Sequence, residues 1–191
     1  MKTLTADLIQ DLTTDTQAYR NQVLKLKELP LETLNWKADA NSWSVLECME
    51  HLNLCGDFYL SEITKRIAET AHKQNTTYFK SGWFGNYFAN SMLPKEKLTK
   101  VKTFKKVNPT VIGSQLGKQT LDRFIDQQDV LLQLLEKAKT VDLTKTKTAT
   151  LVGNFLKLRL GDAFRVVVYH NKRHLVQAEK VLAICEELSL V

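Results

Sequence analysis

Three of the four histidines in this 191-residue chain stand where they can act together. His170 and His174 are one helical turn apart. Residues at i and i+4 stack on one helix face with Cβ atoms about 6 Å apart, so both imidazoles can reach one cation. His51 lies in another helical stretch and can supply a third nitrogen from a facing helix. Three imidazoles around a divalent ion leave coordination positions open for water or substrate, the pattern of catalytic rather than structural sites. Two imidazoles buried together without a shared partner would carry a desolvation cost. Metal ligation by His51, His170 and His174 is therefore favoured over three hydrogen-bonded core histidines. The fourth, His72, is flanked by Lys73 and Gln74 and reads as solvated.

The neighbours of these histidines have competing roles. Cys48, His51 and Cys55 fall at i, i+3 and i+7 on one helix face, and a thiolate is a good ligand for a soft metal. Free cysteine is also among the most buried residue types, and packing is the favoured role for both thiols. Glu47, one turn before His51, is a candidate partner or base for a ligand histidine. It also completes a capping box with Ser44, and the cap is favoured. Gln177 and Asn171 are candidates to hydrogen-bond a ligand histidine, although a solvated or locally bonded amide is the commoner state. No serine nucleophile elbow, phosphate-cradling glycine loop or dinucleotide fingerprint is present.

Four long amphipathic stretches must position these groups. The first runs from about Thr5 to Leu29, with Leu8, Leu12, Tyr19, Val23 and Leu26 on one stripe, and Pro30 ends it. After a linker with Trp36 and Trp43, Ser44-Val45-Leu46-Glu47 starts the second, which runs to about Ala71 with Leu52, Phe58, Ile63 and Ile67 inward. The third, about Ser114 to Lys139, repeats Leu121, Phe124, Ile125, Gln128, Leu131 and Leu135. The fourth opens at Asp162 and strings Phe164, Val167, Asn171, His174, Ala178, Val181 and Cys185 along one seam. The pattern predicts an all-α protein, a four-helix bundle forming one domain over residues 1–191. The first two helices are expected as antiparallel neighbours.

A long crossover, Lys73–Gly113, separates the second and third helices. It carries Tyr78, Phe79, Trp83, Phe84, Tyr87 and Phe88, punctuated by Ser81-Gly82 and Gly85-Asn86. These aromatics can close a pocket or cover a dimer face. Packing and dimer contacts are favoured, because His51 lies about 10 Å along its helix and the exit is about 30 Å further on. Thr148–Leu160 is a second connector, expected to be extended.

Composition narrows the function classes. The formal net charge is +6, from 27 basic and 21 acidic residues. Lysines gather in Lys95–Lys106, but without arginine forks or regularly spaced aromatics, so a solvated loop is expected rather than a nucleic-acid surface. No apolar leader follows Met1, and no uncharged apolar run approaches the ~18 residues of a membrane span. Three helical cysteines, an odd number, fit a reducing compartment. The expected location is cytoplasmic, with no membrane and no nucleic-acid partner.

These motifs resemble a known family. Trp43-Ser44-Val45-Leu46-Glu47-Cys48-Met49-Glu50-His51-Leu52 is similar to the W-S-x-x-E-x-x-x-H-L segment of the DinB-like (DNA-damage-inducible) superfamily. Leu160-Gly161-Asp162 through His170-Asn171-Lys172-Arg173-His174-Leu175-Val176-Gln177 resembles its later segment, ending in H-x-x-R-H-x-x-Q. Gly82-Trp83-Phe84-Gly85 and the region 100–109 also look like this group. The resemblance covers nearly the whole chain. It implies a four-helix bundle, often dimeric, with a three-histidine metal site at His51, His170 and His174, and nickel, zinc or iron as the divalent ion. Similar proteins include transferases and isomerases that use low-molecular-weight thiols. The leading expectation is a metal-dependent transferase or hydrolase, its partners a small thiol and an electrophilic small molecule. The competing one is a non-catalytic metal-binding or protein-interaction bundle.

Overall fold

The structure, a computed structural model, describes residues 1–94, 103–112 and 116–189. The chain is mostly helical. In order it forms strand β1 (Lys2–Leu4), helices α1 (Thr5–Leu26), α2 (Leu31–Asn35) and α3 (Val45–Glu69), strand β2 (Tyr78–Lys80) and helix α4 (Trp83–Ser91). A 3-10 turn (Lys105–Val107), helices α5 (Pro109–Ile112) and α6 (Gln119–Ala138), strands β3 (Lys147–Thr150) and β4 (Gly153–Arg159), and helix α7 (Leu160–Ser189) follow.

The long helices α1, α3, α6 and α7 bury most of the stripes that periodicity assigns to them, with Phe58 on α3 and Cys185 on α7 only partly buried. Leu8, Leu12, Tyr19, Val23 and Leu26 are buried on α1, and Leu121, Phe124, Ile125, Gln128, Leu131 and Leu135 on α6. Helix α3 begins as its sequence dictates. The Glu47 amide donates to Ser44 Oγ at 3.2 Å, and the Ser44 amide donates to Glu47 Oε2 at 2.9 Å, a reciprocal cap that satisfies two orphan donors. Lys37 holds the other Glu47 oxygen at 2.7 Å. Glu47 is thus committed to the cap rather than to a histidine.

The neighbour relationships differ from expectation. Helix α1 packs on α6 and α7, and α3 packs on the same two helices, so α1 and α3 face each other diagonally across the core rather than side by side. The linker explains it. Its short helix α2 packs on α3 and α7 and buries Leu34 completely, which carries the chain across the end of the assembly. Arg20–Asp129 at 2.7 Å and the Lys27–Asp122 contact show α1 and α6 running antiparallel.

The described part of the crossover is built rather than loose. β2 pairs antiparallel with β1, setting Thr3 opposite Phe79, and Phe79 is fully buried. The connector expected to be extended is an antiparallel hairpin, β3 with β4, irregular between Thr148 and Thr150. Helix α4 lies on α7, where Asp162 and Arg165 form a buried ion pair at 3.0 Å. Arg165 also reaches Ser81, Asn86 and Asn90, while Asp162 accepts from the Ser81 hydroxyl and the Gly82 amide. Of the lysine run Lys95–Lys106, residues 95–102 lie outside the described residues, as does Ser114, the expected start of the third helix; Lys105 and Lys106 are exposed.

Candidate metal centre

The apolar stripe of α7 carries His170 and His174 toward α3, and α3 meets them with His51 about two turns past its cap. The three side chains converge through one kind of atom. His170 Nε2 lies 3.2 Å from His51 Nε2 and 3.1 Å from His174 Nε2. All three nitrogens fall within 4.8 Å of one another. His51 and His174 are buried, whereas His170 keeps an edge toward solvent.

The opposite ring nitrogens settle the tautomers. His51 Nδ1–H donates to the backbone carbonyl of Val107 at 2.6 Å, and His174 Nδ1–H donates to Gln177 Oε1 at 3.0 Å. Each bond puts the proton on Nδ1 and leaves an Nε2 lone pair facing the others, as in histidines oriented for a metal. Nitrogens each ~2.0–2.1 Å from a common ion stand about 2.9 Å apart at right angles and about 3.3 Å apart at tetrahedral angles. The observed 3.1 and 3.2 Å fall between these values. At most one N–H, that of His170, can lie among three lone-pair sites, so the donor set fits a cation better than a proton. The cluster could hold a metal ion.

Electrostatics keep the ligands neutral. Burial holds all three pKa values below the usual histidine range. For His170 the shift is large, with its two histidine neighbours and Arg173 adding to burial. His174 is lowered to about 3 by burial and by the His51 charge, against the opposing bond to Gln177. A neutral imidazole is the form that binds a metal.

The surroundings extend beyond the residues expected from sequence. Trp43 covers one side, its ring 5.0 Å from that of His51 and 5.8 Å from that of His174, inclined at 29° to the latter. Gln177, expected as a solvated or locally bonded amide, makes a local bond that orients His174. Asn171 turns away from the histidines, and its amide donates to Gln128 Oε1 at 3.0 Å. Cys48 lies in the hydrophobic core, where burial pushes its thiol pKa up. Cys55 is buried too, and burial pushes its thiol up to about 12. Packing is only part of its surroundings, since its sulfur lies 3.9 Å from His51 Nε2. A cavity of about 10 Å³, room for roughly one water, lies between α3, α6 and α7, with Cys55, Gln128, His170 and Asn171 in its lining. The Val107 carbonyl had no sequence signal, because a backbone oxygen belongs to every residue. Trp43 had one, eight residues before His51 at the entry to the same helix.

The model of the DinB superfamily matches residues 14–178. No curated protein and no solved structure matches significantly. The match spans most of the chain and includes all three histidines, and the chain belongs to the DinB superfamily.

Proposed function

From that membership and the geometry of the histidines, we propose that the protein is a divalent-metal-dependent enzyme of the thiol-transferase or hydrolase kind. One observation carries the reading: three Nε2 atoms converge while two of the rings are locked by Nδ1–H bonds to carbonyl oxygens. His51, His170 and His174 would hold the ion, and imidazole donors suit nickel, zinc and iron. A divalent ion there supplies positive charge that lowers the pKa of a coordinated thiol or water and polarises an electrophile. Val107 and Gln177 keep the rings aimed, and Trp43 shields one side from bulk water. The solvent-facing edge of His170 is the side from which a small thiol and an electrophilic small molecule would enter.

The same reading takes α1, α3, α6 and α7 as a four-helix bundle in one domain, residues 1–191, working as a homodimer in the cytoplasm. No helix among the described residues is long and apolar enough to cross a membrane. A second reading, a metal-binding interaction protein without turnover, draws on Trp83 and Tyr87. These rings stack on each other at 6.5 Å and stand mostly exposed on α4.

Metal analysis of the purified protein, followed by a thiol-conjugation screen with nickel-, zinc- and iron-loaded samples, tests the proposal. The expected result is about one ion per chain and metal-dependent thiol consumption with at least one electrophile class. Stoichiometric metal with no turnover across thiol and hydrolytic substrates would favour the interaction protein.

A further inference from the structure

Helix α3 offers two residues to the centre at the same spacing that α7 does. His51 and Cys55 are i and i+4 on α3, and His170 and His174 are i and i+4 on α7. Two pairs at this spacing, each stacked on one face, can set four donor atoms around one point between facing helices. Cys55 Sγ is directed at the His51 nitrogen whose lone pair faces the other two histidines, at 3.9 Å. It also lines the small cavity that His170 borders. Sulfur at ~2.3 Å and nitrogen at ~2.0–2.1 Å from one tetrahedral ion stand about 3.6 Å apart, close to the 3.9 Å between Cys55 Sγ and His51 Nε2. The sulfur stands outside the His51, His170 and His174 donor atoms that lie within 4.8 Å of one another, so joining them takes a turn of the Cys55 side chain to another staggered rotamer about its Cα–Cβ bond.

We propose that Cys55 is a fourth metal donor, so that the centre is a three-histidine, one-cysteine site rather than a three-histidine site alone. The inference rests on His51, His170 and His174 binding a metal. Binding is then balanced by proton release: the Cys55 S–H bond breaks, its electron pair goes to the cation, and the proton leaves to solvent. A thiolate among imidazoles selects soft and borderline ions such as zinc, cobalt and nickel over magnesium or manganese. The exposed edge of His170 would remain the side from which a substrate approaches.

Cobalt(II) titrated into the metal-free full-length protein reads the ligand directly. Wild-type protein should show visible ligand-field bands together with a near-ultraviolet sulfur-to-cobalt charge-transfer band. In Cys55→Ser and Cys55→Ala the charge-transfer band should vanish, with zinc affinity down by roughly 10–100-fold or more. Cys48→Ala and Cys185→Ala should retain the band. X-ray absorption of the zinc-loaded wild type gives the same answer without a variant, as one sulfur scatterer beside the imidazole nitrogens. Cobalt bound with ligand-field bands but no sulfur signal would overturn the Cys55 proposal and leave the three-histidine site standing. No cobalt or zinc binding by the wild type would remove both.

Discussion

His51 Nδ1–H donates to the carbonyl of Val107 across 2.6 Å, joining an early turn of α3 to a residue 56 positions later. The late crossover thus returns to the candidate metal centre, and the 3-10 turn and α5 both pack on α3. The expected separation between crossover and site does not hold for this stretch. Chain length allowed the return, but nothing in the residue types of the stretch announced it.

Gln177 tests the matching contact on the other helix. Gln177→Leu keeps the bulk but leaves His174 Nδ1 without its acceptor, so the ring is free to turn or change tautomer. Metal affinity should fall by roughly 10–100-fold, the usual cost of losing such a partner. Competition titration with a chelator of known affinity measures it. Unchanged affinity would mean that packing alone orients His174.

Trp43 offers an optical test of the centre. Its ring stands 5.0 Å from that of His51, so a bound paramagnetic ion such as nickel(II) should quench its fluorescence. Titration of the metal-free protein should give a saturating loss at about one equivalent. Trp43→Phe should abolish most of the change while metal content stays the same. The triple variant His51→Ala, His170→Ala, His174→Ala should lose both quenching and stoichiometric metal. Undiminished metal in that variant would sink the assignment.

The pH dependence of the metal-free protein follows from the depressed histidines. A histidine held below its ordinary value in the folded state takes up a proton first in the unfolded state. Stability is then full above the unfolded value of 6.5 and is lost as pH falls, down to about 3 for His174. Each such group contributes a slope of about 1.4 kcal/mol per pH unit within that window. Urea midpoints should drop between pH 7 and pH 5 in the metal-free protein, and less steeply in His174→Gln. A flat profile would contradict the neutral, desolvated state of the cluster.

Much of this architecture is legible in the residues, and the reasons are local. The seam Phe164, Val167, Asn171, His174, Ala178 and Val181 is buried as its spacing requires, because a 3.6-residue repeat puts all six on one face. The same rule brings His170 and His174 together. Neither rule says which helix lies beside which, so the diagonal placement of α1 and α3 was not readable. The pairing of Thr3 with Phe79 joins segments distant in sequence, and strands of three residues carry too little alternation to be recognised. Asp162 and Arg165 did leave a trace, as two opposite charges one turn apart in an otherwise apolar stretch.

That pair yields a stability prediction. Arg165 is 1% exposed and Asp162 is fully buried, so removing one charge strands the other. Arg165→Met should cost about 3–5 kcal/mol, the usual range for breaking a buried pair. Because Arg165 also holds Asn86 and Asn90 of α4, amide exchange in α4 should rise in the same variant. Denaturant melts with hydrogen-exchange mass spectrometry read both. A melt within about 0.5 kcal/mol of wild type, the usual range for surface changes, would show that the clamp is dispensable.

The crossover aromatics divide into two groups by burial, and their truncation should separate two roles. Phe79 is fully buried, and Phe84 and Phe88 pack partly against the core with their rings stacked at 5.7 Å. Phe79→Ala should therefore cost about 3–5 kcal/mol, as large aromatic truncations in cores do. Trp83 and Tyr87 are 86% and 66% exposed, so removing them uncovers little core. The double variant Trp83→Ala, Tyr87→Ala should melt within about 1 kcal/mol of wild type as a monomer, since exposed substitutions cost about 0.5 kcal/mol or less each. If α4 forms the dimer face, the variant should shift to monomer in sedimentation while binding metal normally. Retained oligomeric state and stability with lost substrate turnover would instead make α4 a lid over the site, reached through its packing on the first turns of α7.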